Sequence, residues 1–406
     1  MNTPSELPGA STVAVHEPGA GSAWRIPLCV PHIGGNAWAY VKECLDAGWV
    51  AGGSFIERFE RAVAREVGLP HAVACSSGTA ALHVALRVAG VEPEDEVFVP
   101  ALTFIAPANA VRYLGAWPVF VDADPEYWQM DPEHLERVIA THYRSRDGQL
   151  RNRSTGRRAR AVLPVHVLGH PVDMNPVLDI ARCHGLAVVE DATESLGARY
   201  RGQAAGALGD IACFSFNGNK IITTGGGGMI VTTNASWADR ARYLITQAKD
   251  DPVEYVHGAV GYNYRLSNLQ AALGCAQMEL LEHHIAAKRQ IAARYAAALE
   301  EVPGITLMPE APWAQSAYWL YTVLIDESMY GQDARRLLAH LGEHGIQARP
   351  LWQPLHRSPA FAGHGGPPCP TADRLHRSAL SLPSSVGLTP EDQQRVIALL
   401  QGFRRV

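Results

Sequence analysis

The chain has no Cys-x-x-Cys pair, no long block of like charge, and no apolar run approaching the roughly 18 residues that a membrane helix needs. Its seven cysteines, Cys29, Cys44, Cys75, Cys183, Cys213, Cys275 and Cys369, are odd in number and scattered, which excludes a regular disulfide framework and fits a reduced cytoplasm. The net charge of -5 is spread along 406 residues, so neither a nucleic-acid nor a membrane-surface role is expected. Residues 1–25 lack a basic start and an apolar centre, and read as a flexible tail rather than an export signal. Internal repeats are absent as well.

What is present is an alternation of two periods. After two segments of helical spacing, "GNAWAYVKECLDAGWV" and "SFIERFERAVAREVG", short apolar runs alternate with helical stretches from His71 onward. Strands are expected at "HAVACS", "EVFVP", "WPVFVDAD", "RAVLPVHV", "LAVVEDA", "IACFSF" and "GMIVTT", with helices at 79–89, 106–114 and 174–184. Apolar strands between helices imply an α/β fold with a mostly parallel seven-stranded sheet covered on both faces. About twelve residues without helical periodicity join the last two strands, too few for a crossover, so the final strand should run antiparallel.

Beyond Tyr264 an alanine-rich amphipathic helix is expected from Leu266 to about Glu300, as a spine leading into a smaller C-terminal α/β domain. There "AYWLYTVLID", "ARRLLAHLGEHG" and "QARPLW" read as strand, helix, strand, and "TPEDQQRVIALLQGF" as a capped terminal helix. The division is thus 1–25 tail, 26–265 large domain, 266–406 spine and small domain. The arginine-rich "RSRDGQLRNRSTGRRARAV" reads as a solvated loop insertion.

Ligands of parallel sheets sit beyond the carboxyl ends of strands, and four such places carry chemistry. Ser77-Gly78-Thr79 opens a helix with free N–H groups suited to phosphate. Phe104 could stack on a flat ring. Asp191 ends a buried strand, followed by Glu194, and a buried carboxylate needs a partner. Lys220 stands between "CFSF" and the glycine run Gly225 to Gly228, an apolar setting that would release an amine from its proton. Together these places ask for a phosphate, a planar ring, a basic ring nitrogen and an aldehyde, all of which pyridoxal 5'-phosphate has. Thr79, Gly78 and Ser215 would hold the phosphate, Phe104 would cover the ring, Asp191 would pair with the ring nitrogen, and Lys220 would bond the aldehyde.

With "SSGTAALHVAL", "VPALTFIAPANAV", "VEDATESLGA", "FSFNGNKIITTGGGGM" and "GYNYRLSNLQAALG", the chain from about Ile26 onward resembles the sugar-nucleotide aminotransferases of the DegT/DnrJ/StrS group. The resemblance implies the aspartate aminotransferase fold, fold type I of the pyridoxal phosphate enzymes. It also implies a homodimer in which Asn263 reaches the cofactor phosphate of the partner subunit, and it places Glu194 near the ring hydroxyl. "EDATESLG" with the lysine segment is similar to the branch acting on UDP-4-keto-6-deoxy-N-acetylglucosamine in bacillosamine and legionaminic acid synthesis. The expected reaction moves an amino group from an amino acid, L-glutamate first, to a 4-keto sugar nucleotide. GDP- or dTDP-linked sugars, a dehydratase, an aminotransferase of small amino acids and a cofactor-binding regulator are its rivals; Lys220 counts against the dehydratase, which has histidine there.

Two decoys are set aside. Gly225 to Gly228 lacks the Walker lysine and reads as room for the lysine loop. His166 and His170 have metal-like spacing, but the Gly-His-Pro context breaks any helix and no neighbouring acid or thiol completes a ligand set, so no metal is expected. His356 and Tyr318 match positions of the group that line a sugar pocket.

Overall fold

A computed structural model describes residues 24–251, 253–362 and 366–404. The tail expected over 1–25 lies outside them apart from its last two residues. Two helices come first, α1 (Ala37–Ala47) and α2 (Ser54–Val67). Seven strands then build one sheet: β1 (His71–Cys75), β2 (Glu96–Pro100), β3 (Trp117–Val121), β4 (Ala159–Val162), β5 (Ala187–Asp191), β6 (Ile211–Ser215) and β7 (Gly228–Thr232). Their order is β1-β7-β6-β5-β4-β2-β3. Neighbours pair in parallel except β7, which is antiparallel to β1 and β6, as the short β6–β7 connection requires.

Period-two alternation divides the strand side chains between two apolar layers. Val97, Val99, Ala161 and Val189 enter one core, whereas Phe98, Val162 and Val188 enter the other. Helices α3 (Gly78–Val88) and α4 (Ala106–Tyr113) bring Leu82, Val84 and Val111 to the first. Helices α5 (Pro132–His142) and α6 (Met174–His184) bring Leu135, Val138 and Val177 to the second. Both faces are therefore covered, and the polar ends of the strands are left to form a site. Helix α7 (Ala235–Ile245) packs on β1. Among the described residues no helix is long and apolar enough to cross a membrane.

The expected single spine is two helices, α8 (Asn268–Met278) and α9 (Leu281–Leu299). Between them the Leu280 N–H turns back to Gln277 O at 3.0 Å, a tightened last turn. The Glu279 carboxylate at that break is gripped by Asn36, Tyr40 and Arg58 at 2.7, 2.7 and 3.0 Å. No glycine or proline marks the place; distant partners set it. Helix α8 packs against α1 and α2.

In the C-terminal part the order of the small sheet is β8 (Ile305–Thr306), β9 (Tyr321–Ile325), β10 (Ala379–Leu382). The strand expected at "QARPLW" is absent. Ile346 and Arg349 make only isolated bridges, to Ile26 and Ser381, and Pro350 has no N–H with which to continue a ladder. The expected helices are there as α10 (Ala334–Glu343) and α12 (Pro390–Gly402), the latter capped by Thr389 Oγ1 accepting the Asp392 N–H at 3.1 Å; α11 (Pro370–Ser378) precedes β10.

The arginine-rich segment is largely exposed, as expected, but it is a hairpin rather than a loop. Strands Tyr143–Arg146 and Gln149–Asn152 form a hairpin across Asp147 and Gly148, both at positive φ (53° and 71°), the Asp-Gly signature of a two-residue turn. Arg158 then clamps Asp95 at 2.6 and 2.9 Å, and the Arg157 guanidinium lies 3.9 Å from the Trp117 ring centroid.

Candidate active site

The carboxyl ends of β1, β5 and β6 converge, and each supplies a functional group. From β1, Ser77 caps α3 by accepting the Ala80 N–H at 3.0 Å. The first N–H groups of the helix have no intrahelical acceptor and remain available to an anion. Gly78 is buried where a Cβ would meet the Ser215 Cβ at 2.8 Å, so only glycine lets α3 start this close to the end of β6. Thr79 is half-buried beside it. The structure thus brings Gly78, Thr79 and Ser215 together as a cradle.

From β5 come two carboxylates that are almost dry. Asp191 is 2% exposed and Glu194 is 3% exposed. Burial raises the Asp191 carboxyl above its ordinary value, opposed by bonds from Thr193, whose N–H reaches Oδ1 at 3.0 Å, and by the Lys220 charge. Burial pushes Glu194 up to about 7, opposed by Lys220 and by the Leu168 N–H, which Oε2 accepts at 2.8 Å.

From the loop after β6 comes Lys220. Its side chain is 13% exposed, its Nζ lies 3.6 Å from Glu194 Oε1, and the ammonium sits 4.0 Å from the centroid of the Trp319 ring. The loop is pinned by its own backbone: Asn219 O accepts Trp319 Nε1–H at 2.6 Å, Ile221 O bonds His284 Nδ1 at 3.0 Å, and the Thr223 N–H donates to Gln277 Oε1 at 3.2 Å. The glycine run ends at Gly228, where a Cβ would collide with the Ser77 carbonyl. The run thus leaves open space at Gly225, as expected, and makes a close backbone approach at Gly228.

Phe104 is 53% exposed at the entrance to α4. Asn263 is exposed too, with Oδ1 3.4 Å from Arg265 Nη2, on a segment that bonds the Ser76 N–H through Tyr264 O. Among the described residues no hydrogen bond or ion pair joins either of them to Lys220, Asp191 or Glu194. His166 is fully buried: Nδ1 accepts the Val172 N–H at 3.1 Å, so Nε2–H faces Glu190 Oε2 at 2.9 Å. That acid stands 24 residues away in sequence, so the expectation that no acid lies near is corrected, but among the described residues no cluster could hold a metal.

Trp319 and Leu168 were not legible in the sequence. A tryptophan in "AYWLY" looks like any strand aromatic, and nothing marks Leu168 for a left-handed backbone (φ 61°, ψ 12°). Tyr318, expected at a sugar pocket, has φ 47° and its ring is 5.5 Å from Arg289. His356 Nε2 lies 3.4 Å from Asp373 Oδ1, and its buried Nδ1 has no hydrogen-bond partner among the described residues.

The donor set fits a phosphorylated aldehyde with a basic ring nitrogen: a dry amine, two buried carboxylates and a cradle that a Cβ would fill. Residues 31–401 match the model of the DegT/DnrJ/EryC1/StrS aminotransferase family. The chain is 41% identical over 378 residues, covering 93% of this chain and 97% of the relative, to the GDP-perosamine synthase of Caulobacter vibrioides. It is 35% identical over 347 residues, 84% of this chain and 86% of the relative, to the UDP-N-acetyl-3-dehydro-alpha-D-glucosamine 3-aminotransferase of Acidithiobacillus ferrooxidans. The crystal structure of S. venezuelae DesV superposes with a TM-score of 0.82 at 35% identity, covering 91% of this chain and 95% of that one.

Proposed function

Since the chain belongs to the DegT/DnrJ/EryC1/StrS aminotransferase family, whose members depend on pyridoxal phosphate, we propose that it aminates the 4-keto carbon of a GDP-linked deoxy sugar with L-glutamate as donor. The observation that carries the chemistry is the meeting of the Lys220 amine with buried Asp191 and Glu194 beside the Gly78–Ser215 cradle. The nucleotide rests on the Caulobacter relative, whose name is that of a GDP-linked product. A UDP-linked sugar is the second reading, supported by the "EDATESLG" segment and by the Acidithiobacillus relative.

Pyridoxal phosphate, when bound, supplies an aldehyde that receives the amino group and a ring that draws electrons from the carbon being deprotonated. Lys220 would hold it through Nζ and, once freed, accept and return a proton at that nitrogen. Asp191 would pair with the ring nitrogen and favour its protonated form. Gly78, Thr79 and Ser215 would take the phosphate, Phe104 would cover one ring face, and Glu194 would lie by the ring hydroxyl. Asn263 would complete the phosphate site of the partner subunit in a homodimer. Burial of the two carboxylates excludes water and strengthens every charge interaction in the cleft.

Borohydride reduction of the loaded enzyme, followed by peptide mass spectrometry, should find the cofactor on Lys220; an adduct elsewhere overturns the assignment. A coupled assay with glutamate and a panel of UDP-, GDP- and dTDP-linked 4-keto sugars tests the substrate. Turnover confined to UDP-linked members would replace the first reading by the second.

A further inference from the structure

Lys220 must spend part of any transamination cycle detached from the cofactor, and in the structure its free side chain lies against two buried groups. The ammonium rests between an acid and an aromatic face, with Glu194 Oε1 at 3.6 Å and the Trp319 centroid at 4.0 Å. Both partners are buried, Trp319 at 5% and Glu194 at 3% exposure. One residue joins them: the Leu168 N–H donates to Glu194 Oε2 at 2.8 Å, and Leu168 O accepts the Trp319 N–H at 3.0 Å. Leu168 does this in a left-handed conformation, which a side-chain-bearing residue rarely adopts, so the bridge is held against strain. Gly169 allows the same close approach, since a Cβ there would meet Trp319 N at 2.9 Å and Glu194 O at 3.0 Å.

We propose that Glu194 and Trp319, tied together through Leu168, form a dock that holds the Lys220 ammonium whenever its nitrogen is not bonded to the cofactor. The inference rests on the proposed role of Lys220. A cation over an indole face and beside a carboxylate is stabilised in its charged form. The contact is also loose enough to be left again, because 3.6 Å exceeds hydrogen-bond length. Other groups face the same amine. Asp191 adds attraction from the end of β5. Buried Lys288 donates to Trp319 O at 2.9 Å, while the Cys29 thiol donates to the Asn219 carbonyl at 3.2 Å. Glu194 and Trp319 are positioning residues in this scheme: they act through Lys220.

The test uses cofactor-free protein, so it can fail without touching the reduction experiment, which uses loaded enzyme. Trace labelling with acetic anhydride across a pH series, read by mass spectrometry, gives the free-amine fraction of each lysine. Exposed Lys42 serves as the reference, and buried Lys288 reports unfolding. Removing the acid in Glu194→Gln takes away the carboxylate that holds the Lys220 ammonium, so its labelling near pH 8 should rise about tenfold while Lys42 is unchanged. Trp319→Leu should shift it in the same direction, whereas Trp319→Phe, which keeps a ring face, should shift it less. If Glu194→Gln labels Lys288 and so has lost its fold, Glu194→Asp decides in the same assay, with a smaller rise expected. Lys220 labelling that does not change when the acid is removed or shortened overturns the dock.

Discussion

Trp319 Nε1–H donates to the carbonyl oxygen of Asn219 at 2.6 Å, one residue before Lys220. Trp319 lies just ahead of β9 in the small sheet, so the course of the lysine loop depends on a side chain about a hundred residues further along the chain. Replacing it with phenylalanine keeps a ring beneath the ammonium and deletes the donor. Trp319→Phe should cost about 1 kcal/mol in urea unfolding and lower kcat about tenfold, with Lys220 still reducible by borohydride. An unaltered kcat would mean that the loop holds its shape without this bond.

Glu194 gives the cofactor-free protein a distinctive pH dependence. Its pKa is raised to about 7 from an ordinary value of 4.5, chiefly by burial, so the folded protein binds this proton more tightly than the unfolded chain. The stabilisation from this group is complete below the unfolded value and is lost as the pH climbs through the folded one. Relative to Glu194→Gln, wild-type unfolding free energy should fall by about 3 kcal/mol between about pH 4 and about pH 8. A flat difference in urea titrations would show that the carboxyl is not buried in solution.

Gly228 closes the lysine loop against the end of β1. Gly228→Ala would drive a methyl into the Ser77 carbonyl, and with it the cap of α3, where backbone cannot easily give way. We expect loss of cofactor retention, measured by visible absorbance after gel filtration, and about 1–3 kcal/mol of destabilisation. Normal retention would show that the cradle tolerates a shift of α3.

Lys288 is 2% exposed, and its ammonium spans Trp319 O and Ser384 O, each at 2.9 Å. Burial lowers its pKa. Lys288→Met fills the volume but leaves two buried carbonyls without this donor, which should cost about 1–3 kcal/mol in thermal or urea unfolding. Equal stability would mean that water or rearrangement replaces the ammonium.

Asp191 is the electronic partner in the proposed chemistry. Asp191→Asn keeps shape and burial, so the fold should survive by circular dichroism, while kcat/KM falls by about two orders of magnitude or more. Near wild-type turnover would remove Asp191 from the mechanism.

The sequence by itself determined the seven strands, the antiparallel β7, and the meeting of Gly78, Ser215, Asp191, Glu194 and Lys220, because these depend on local period, connection length and position after a strand. The hairpin across Asp147 and Gly148, expected as a loop, rests on a local signal as well, since both residues take the positive φ of a two-residue turn. The break at Glu279, the strand at Ala379–Leu382 and the pair Leu168–Trp319 were decided only by tertiary structure. Each is fixed by partners far away in the chain, a carboxylate gripped by three side chains from α1 and α2 or their flanks, a ladder with β9, and a strained peptide that touches both neighbours of one lysine. Local spacing carries no record of such contacts, since the energy that selects them appears only when the segments meet.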